Sequence, residues 1–454
     1  MSLKSINPAT GDVLKVFEEW TDGKVRATLE DVHKAFLIWR EVSFEQRAGL
    51  MKKAAGLLRS RQAGYAKTMA LEMGKPVTQG RAEIEKCALA CEYYAEHAAG
   101  FLKDEIIESG AGKSYVRFPP LGTILAVMPW NFPFWQVFRF AAPALMAGNT
   151  GVLKHASNVP ECALAIEEVF RDAGFPENVF RTILIGSSGV GPVIGHPLVR
   201  AVTLTGSEAA GRSVAEKAGR ALKKTVLELG GSDPFIVLPD ADLANCVAVA
   251  AQARTINSGQ SCIAAKRFIV ADAAADEFLG LFRKSMESLI VGDPLNEKTQ
   301  VGPQAREDLM RELHSQVEKS IGMGARLITG GKPLDRPGYF YPPTILEDVR
   351  PGMPAFDQEL FGPVAAVVRA KDEDEAIDLA NRTSFGLGAS LWTRDQQRGE
   401  ALAHRIEAGA VFVNGMVASD PRLPFGGIKA SGYGRELSHY GIKEFVNIQT
   451  VWIK

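Results

Sequence analysis

Two short segments carry residue types that could perform covalent catalysis. Cys262 follows a Gly-Gln-Ser turn at the edge of an apolar stretch, which is the kind of exposed position that a thiolate nucleophile requires. Glu228 ends an apolar pattern at residues 225–227, where burial would raise the pKa of its carboxyl group and suit a general base near neutral pH. Each residue also has a purely structural interpretation: a packed thiol for the cysteine, and a carboxylate bonded to loop amides for the glutamate.

Two further segments could hold a ligand or a developing charge. In Pro-Trp-Asn-Phe-Pro (129–133), at a predicted strand-to-helix junction, Asn131 could cap the helix or donate its amide to an oxyanion. Trp130 beside it could form the wall of a site for a flat cofactor ring. Thr-Gly-Ser at 205–207 precedes a predicted helix, so free N–H groups and the helix dipole favour an anion site there. No Gly-x-Gly-x-x-Gly fingerprint accompanies it, and alone the motif is weak.

Composition excludes several classes of protein. The 454 residues exceed what one hydrophobic core usually supports, about 250–300 residues, so two or three domains are expected. A net charge of -1 favours neither nucleic acid nor an anionic membrane surface as partner. The sequence shows no long apolar run and no signal-peptide pattern at its start, so we expect a cytoplasmic protein. The five cysteines lack metal-ligand spacing, and we expect neither a metal site nor a disulfide framework.

The elements that must position these residues follow from periodicity. Apolar positions at helical spacing predict helices through 31–105, and short apolar strands alternating with helices predict a parallel sheet over 121–230. A second alternating stretch at 232–424 predicts a second α/β domain. Residues 102–120 and the terminal residues 446–454 belong to neither of these predicted domains. Both could be strands, and a terminal strand without a partner in its own domain is often an oligomer contact.

Together the segments resemble the aldehyde dehydrogenase superfamily. The resemblance runs from Asn-Pro-Ala-Thr-Gly at 7–11 almost to the C-terminus and rests on the order of PWNFP, LTGS, LELGG, GQSC, ELFGP and PFGGIKASGYGRE. It implies an α/β fold with a Rossmann-like cofactor domain, a second α/β catalytic domain and a small β oligomerisation arm. The implied boundaries are 1–101 and 121–229 for the NAD(P)-binding domain, 230–430 for the catalytic domain, and 102–120 with 440–454 for the arm and terminal strand.

The resemblance also implies roles for individual residues. Cys262 would be the nucleophile, Glu228 the base that activates water, and Asn131 an oxyanion donor beside the Cys262 backbone N–H. An aldehyde would be oxidised through a thiohemiacetal and a thioester, without a metal, in a homodimer or homotetramer. Implied contacts to NAD or NADP come from Trp130, Lys154 (adenosine ribose), Gly206, Ser207, Glu359 (nicotinamide ribose) and Phe361.

The cofactor motif departs from the family pattern in one segment. Many members have Lys-Pro-Ser/Ala-Glu where this chain has Lys154, His155, Ala156 and Ser157. The family's glutamate bonds the adenosine ribose hydroxyls and repels a 2′-phosphate. Ser157 removes that carboxylate, so we predict that both NAD and NADP are used. His155 replaces a turn proline, and no catalytic role is assigned to it.

The chain is similar to short bacterial succinate-semialdehyde dehydrogenases. Arg139, eight residues after Asn131, can share a helical face with the site and matches an arginine that those enzymes use for the substrate carboxylate; a surface or ion-paired arginine is the alternative. The second arginine of that pattern, six residues before the cysteine, is Ile256 here. Ser419 and Arg422 are possible substitutes, with Ser419 favoured by position.

Oxidation of succinate semialdehyde to succinate is therefore the leading prediction. Another semialdehyde or an aliphatic aldehyde would use the same machinery. A CoA-acylating dehydrogenase generally lacks the water-activating glutamate, so Glu228 argues against that class. A non-catalytic scaffold on this fold would have lost the nucleophile or the base, and both Cys262 and Glu228 are present.

Overall fold

Strands and helices alternate from residue 121 onward in the computed structural model, which describes residues 2–454. The strands up to residue 228 are β1 (Ser2–Ile6), β2 (Val13–Glu18), β3 (Glu105–Ile106), β4 (Lys113–Arg117), β5 (Thr123–Met128), β6 (Thr150–His155), β7 (Phe180–Thr182), β8 (Val199–Thr205) and β9 (Lys224–Glu228). The later strands are β10 (Pro234–Val237), β11 (Arg267–Ala271), β12 (Arg326–Thr329), β13 (Thr344–Glu347), β14 (Val364–Ala370), β15 (Gly388–Trp392), β16 (Ala410–Val413), β17 (Gly432–Tyr433) and β18 (Gln449–Ile453).

The helices that cover these strands include those predicted over 31–105, although the last helix of that region ends at Phe101. They are α1 (Asp22–Trp39), α2 (Phe44–Ser60), α3 (Gln62–Met73), α4 (Val77–Phe101), α5 (Trp135–Met146), α6 (Pro160–Asp172), α7 (Val190–Gly195), α8 (Glu208–Arg220), α9 (Leu243–Thr255), α10 (Asp272–Glu287), α11 (Glu307–Gly322), α12 (Pro354–Asp357), α13 (Glu373–Asn381), α14 (Gln396–Ala403) and α15 (Ser438–Ile442). Within residues 2–454, none of them combines the length and apolar character needed to cross a bilayer.

The first parallel sheet has the strand order β17-β9-β8-β5-β6-β7. Strands β5 to β9 pair in parallel, and β6 is buried along its whole length because helices cover both faces of the sheet. The short strand β17 returns from the C-terminal part of the chain and pairs antiparallel with β9, placing Gly432 opposite Glu228. The predicted sheet over 121–230 is thus confirmed, with one strand added from outside that range.

The second sheet has the order β12-β13-β14-β11-β10-β15-β16 and is parallel except for the β12–β13 pair. It confirms the predicted second α/β unit. The segment between α9 and β11 carries Cys262, so the candidate nucleophile belongs to this half of the fold. Residues 102–120 and the C-terminal segment do form strands, because β4 pairs antiparallel with both β3 and β18.

Helix α5 is fixed at its N-terminus, which matters because Asn131 precedes it and Arg139 lies on it. At its N-terminus, the backbone N–H groups of Phe134 and Trp135 each donate 2.9 Å hydrogen bonds to Oε1 of Glu83. Glu83 also forms a buried ion pair with Lys75. These bonds satisfy donors that the helix itself leaves free. The helix is therefore capped from α4 and not by Asn131.

Candidate active site

The loop that carries Cys262 depends on three consecutive left-handed residues. Asn257, Ser258 and Gly259 have φ values of 53°, 56° and 77°. A Cβ at Gly259 would lie 2.3 Å from the carbonyl oxygen of Gly362, so only glycine fits there. This turn leaves Cys262 partly exposed at a cavity, whereas the other four cysteines, all within residues 2–454, are buried.

Lys266 holds this loop and was not singled out from the sequence. Its buried ammonium donates to the carbonyl oxygens of Ser261, Cys262 and Ala264 at 2.9, 2.8 and 3.2 Å, and it lies 3.6 Å from Oε1 of Glu359. The only available signal was a pair of cations, Lys266 and Arg267, before an apolar run. Burial raises the pKa of the Cys262 thiol to about 12, and the positive charges of Arg139 and Lys266 oppose that rise.

Asn131 lies against the same loop. Its side-chain Nδ2 donates to the carbonyl oxygen of Gln260 at 3.1 Å, and Nδ2 of Asn257 donates to the Asn131 carbonyl oxygen at 2.7 Å. In residues 2–454, the backbone N–H of Cys262 donates to no protein acceptor. An amide Nδ2 and a free N–H therefore lie at the same end of the cavity, as stabilisation of an oxyanion requires.

Glu228 is 2% exposed at the end of β9, and neither carboxylate oxygen has a hydrogen-bond partner among the described residues. The hydrogen bonds from loop amides considered above are not present. Burial raises the pKa of Glu228 well above its ordinary value, the carboxylate of Glu436 raises it further, and the cation of Arg139 opposes both. A Cβ at Gly426 would lie 2.8 Å from Oε1 of Glu228, which explains one glycine of the Pro-Phe-Gly-Gly segment.

Arg139 is buried, 3% exposed, and forms an ion pair with Glu436. Its Nη2 donates to Oγ1 of Thr205 at 3.3 Å, and its guanidinium lies 4.7 Å from the centre of the Phe425 ring. The structure therefore has the ion-paired arginine that was the alternative to a carboxylate-binding one. Glu436 is the last residue of the PFGGIKASGYGRE segment, in which the sequence indicated no role for this carboxylate.

A cavity of about 500 Å³ joins the start of α8 to Cys262. Its walls include the predicted cofactor residues Trp130, Gly206, Ser207, Glu359 and Phe361, together with Asn131. Lys154 and Ser157 lie outside it, at the end of β6 and in the following turn. The wall also contains residues that the sequence did not indicate, including Gln136, Leu309, Leu313, Gln316 and Phe385.

The cavity fits a nicotinamide dinucleotide. At one end, Ser207 caps α8, and the exposed N–H groups of this helix start suit a pyrophosphate. At the other end, the rings of Trp130 and Phe361 meet edge to face with centroids 5.7 Å apart. Glu359 accepts from the Gly231 N–H at 3.1 Å, and a Cβ at Gly230 would lie 2.6 Å from its Oε2. Across residues 2–454, no cluster of three or more His, Cys, Asp or Glu side chains has the geometry of a metal site.

His155 ties the turn after β6 to the loop of Asn131. Its Nε2 donates to the carbonyl oxygen of Pro133, and its Nδ1 accepts from the Ala156 N–H, both at 2.9 Å. This arrangement requires the neutral ring, and burial lowers the pKa of His155 to about 4. The turn after β6 then leaves Ser157 exposed to solvent. His155 is thus a structural residue of this turn.

Of the two candidates before the Pro-Phe-Gly-Gly segment, Ser419 is 8% exposed and accepts a 2.7 Å hydrogen bond from Nζ of Lys86. Arg422 is exposed and forms an ion pair with Asp420 at 2.6 Å. Ser419 is therefore the better placed of the two to contact a buried substrate. Lys86 was not singled out from the sequence.

The comparisons with known proteins agree with this geometry. A family profile described as "Aldehyde dehydrogenase family" matches residues 1–451. The chain is 53% identical over 453 residues to a probable succinate-semialdehyde dehydrogenase (NADP(+)) from Synechocystis sp., with all of both chains covered. It is 52% identical over 456 residues to succinate-semialdehyde dehydrogenase (NADP(+)) 1 of Mycobacterium tuberculosis, again over all of both chains.

A solved structure is similar throughout as well. The crystal structure of succinic semialdehyde dehydrogenase from Streptococcus pyogenes in complex with NADP+ has a TM-score of 0.97 and 39% identity, with 99% of each chain covered. Family match, full-length relatives and fold agree, and the chain therefore belongs to the aldehyde dehydrogenase family, as its motifs predicted.

Proposed function

We propose that this enzyme oxidises succinate semialdehyde to succinate with NADP+ and that it also accepts NAD+. The observation that carries the proposal is the meeting of Cys262 and the Asn131 amide at one end of a dinucleotide-sized cavity. The substrate and the preferred cofactor are those named for the relatives at 52–53% identity. Acceptance of NAD+ rests on Ser157, which presents neither a carboxylate nor a cation to the adenosine ribose.

In this proposal the Cys262 thiol first releases its proton to water, and the thiolate then attacks the aldehyde carbon and forms a thiohemiacetal oxyanion. The Asn131 amide and the Cys262 N–H donate to that oxygen, each stabilising the transition state by about 3–4 kcal/mol. When bound, the nicotinamide cofactor accepts the hydride that leaves the former aldehyde carbon. The product on the enzyme is a thioester of Cys262.

Hydrolysis of that thioester needs a base, and Glu228 has the properties of one. Its raised pKa and free oxygens suit it to take a proton from water near neutral pH. The resulting hydroxide attacks the thioester carbonyl, succinate leaves, and the thiolate of Cys262 is restored. Of the two groups that the sequence predicted for the far carboxylate of the substrate, Arg139 is paired with Glu436, and Ser419 remains available for that contact.

Initial rates of NADPH and NADH formation across an aldehyde panel test this function. We expect kcat/KM for succinate semialdehyde to exceed that for hexanal by roughly tenfold or more, which corresponds to about 1.4 kcal/mol of transition-state preference. Equal or better rates with hexanal would overturn the substrate assignment and leave aldehyde oxidation intact. Lactaldehyde and glutarate semialdehyde in the same panel distinguish the neighbouring substrate classes.

A further inference from the structure

Lys86, on α4, is a partly buried cation without a carboxylate partner. Its Nζ donates to Oγ of Ser419 at 2.7 Å and lies 4.4 Å from the centre of the Trp135 ring. Across residues 2–454 it forms no ion pair, and the carboxylates of Glu83 and Asp420 act on it only at longer range. A hydroxyl and an aromatic face are thus its close polar contacts.

Burial makes the charged ammonium of Lys86 unfavourable in the absence of a counter-charge. Burial, together with the positive charge of Arg139, lowers the pKa of Lys86 to about 8. A shielded ammonium that has lost water and gained only neutral partners is stabilised when a carboxylate arrives beside it. The Ser419 hydroxyl can support such a ligand, because it can donate to a carboxylate while it accepts from Lys86.

The position of Lys86 connects it to the reacting end of the site. Trp135, over which it lies, is four residues before Arg139 on α5, so these two side chains share a helical face. Asn131 precedes the same helix, and the charge of Arg139 acts on the Cys262 thiol. Arg139 is already neutralised by Glu436. The charge of Lys86 is not balanced in this way.

We propose that Lys86, supported by Ser419, binds the far carboxylate of the aldehyde substrate and thereby determines the preference for a carboxylated aldehyde. This inference rests on the proposed oxidation of succinate semialdehyde and assigns its specificity to a lysine. It also explains how the chain binds the carboxylate although Ile256 occupies the position of the second arginine in the family pattern. Arg139, held in its ion pair with Glu436, then serves as a fixed guanidinium beside the catalytic groups.

The test compares two aldehydes of four carbons, succinate semialdehyde and butanal, in wild type, Lys86→Gln and Lys86→Arg. We expect Lys86→Gln to lower kcat/KM for succinate semialdehyde roughly tenfold or more, chiefly through KM, and to leave butanal within about threefold. Lys86→Arg keeps the charge and should retain most of the preference. Lys53→Gln, on an exposed face of α2, is the matched control and should alter neither substrate.

Each outcome has a separate meaning. Equal losses on both aldehydes, or an unchanged preference in Lys86→Gln, would overturn the role of Lys86 and leave the proposed function standing. Absence of a preference in wild type would overturn the proposed function itself. Should Lys86→Gln fail to fold, Ser419→Ala provides the second variant. It should lower kcat/KM for succinate semialdehyde roughly threefold or more and spare butanal, and an equal effect on both would contradict the proposal.

Discussion

The side-chain amide of Asn257 donates a 2.7 Å hydrogen bond to the main-chain carbonyl oxygen of Asn131. The same Nδ2 donates to the carbonyl oxygen of Gln260 at 3.0 Å, to which the Asn131 side chain also donates. One amide therefore joins the loop after β5 in the first sheet to the loop of Cys262 in the second half of the fold. The left-handed backbone of Asn257 directs its side chain into this junction.

Replacing Asn257 by glycine should lower kcat roughly ten- to a hundredfold with a smaller change in KM. The reason is that a shift of about 1 Å between the oxyanion donor and the nucleophile is enough to slow the chemical step by that factor. Glycine retains the positive φ, so only the amide is lost. Asn178→Gly is the control, since Asn178 has a φ of 67° in a remote turn. Steady-state rates on succinate semialdehyde measure the effect. An unchanged kcat in Asn257→Gly would contradict the claim that this amide positions the Asn131 loop against the Cys262 loop.

Replacing Glu228 by glutamine should separate the two halves of the reaction. Hydride transfer would continue while hydrolysis of the thioester slows by about 10²–10⁴-fold, the usual contribution of a general base. Rapid mixing should then show a burst of about one NADPH per active site followed by a slow phase. Cys262→Ser should show no burst. Equal loss of the burst and of steady-state turnover in Glu228→Gln would mean that Glu228 acts before the thioester forms.

The raised pKa of Glu228 also predicts the pH dependence of the wild type. A base is active when deprotonated, so kcat should increase as pH rises through the pKa of Glu228. Glu228→Gln should lose that pH-dependent increase in the hydrolytic phase. Persistence of the same profile in this variant would assign the titration to another group.

Ser157→Glu should shift the cofactor preference of the enzyme toward NAD+. The new carboxylate would repel the 2′-phosphate of NADP+, so kcat/KM for NADP+ should fall roughly tenfold or more, with the value for NAD+ within a few-fold of wild type. Ser157→Ala adds no charge and should retain both activities. Initial rates with each cofactor at saturating aldehyde measure the ratio, and a loss confined to NAD+ would refute the argument.

His155 should make the folded protein sensitive to acid. Its folded pKa lies below the unfolded value of 6.5, near 4, so the unfolded chain binds the extra proton as pH falls between these values. Stability from the neutral ring is present above pH 6.5 and is lost toward pH 4. The difference in unfolding free energy between wild type and His155→Gln should narrow by up to about 3 kcal/mol over that range. Denaturant titrations at both pH values measure it, and a constant difference would contradict the assignment.

The sheet of β3, β4 and β18 should join copies of the chain into a homodimer or homotetramer. Its two outer strands are edges, and Ile106, Ile448 and Trp452 are 68%, 65% and 56% exposed. Trp452→Glu should therefore reduce the molar mass measured by light scattering after gel filtration. Leu222→Glu, at a side chain 96% exposed elsewhere, should leave that mass unchanged. A monomeric wild type would refute the proposal.

Local pattern was sufficient for much of the architecture. The alternation of apolar strands and helices predicted the first sheet, and the second α/β unit followed from the same periodicity. Short motifs also found part of the cavity wall: Trp130, Asn131, Gly206, Glu359 and Phe361 all line it. Trp130, Asn131 and Gly206 are detectable because each follows the end of a strand, whereas Glu359 and Phe361 lie between α12 and β14 and were found through the family motif.

The sequence by itself determined the family, the strand–helix alternation and the positions of Cys262 and Glu228. Only the tertiary structure decided that Arg139 pairs with Glu436, that Lys266 holds the nucleophile loop, and that Lys86 reaches Ser419 across 333 positions of the chain. The physical reason is that periodicity records which side of an element is buried. The partner of a buried charge depends on which distant segment the fold brings beside it, and no local pattern encodes that choice.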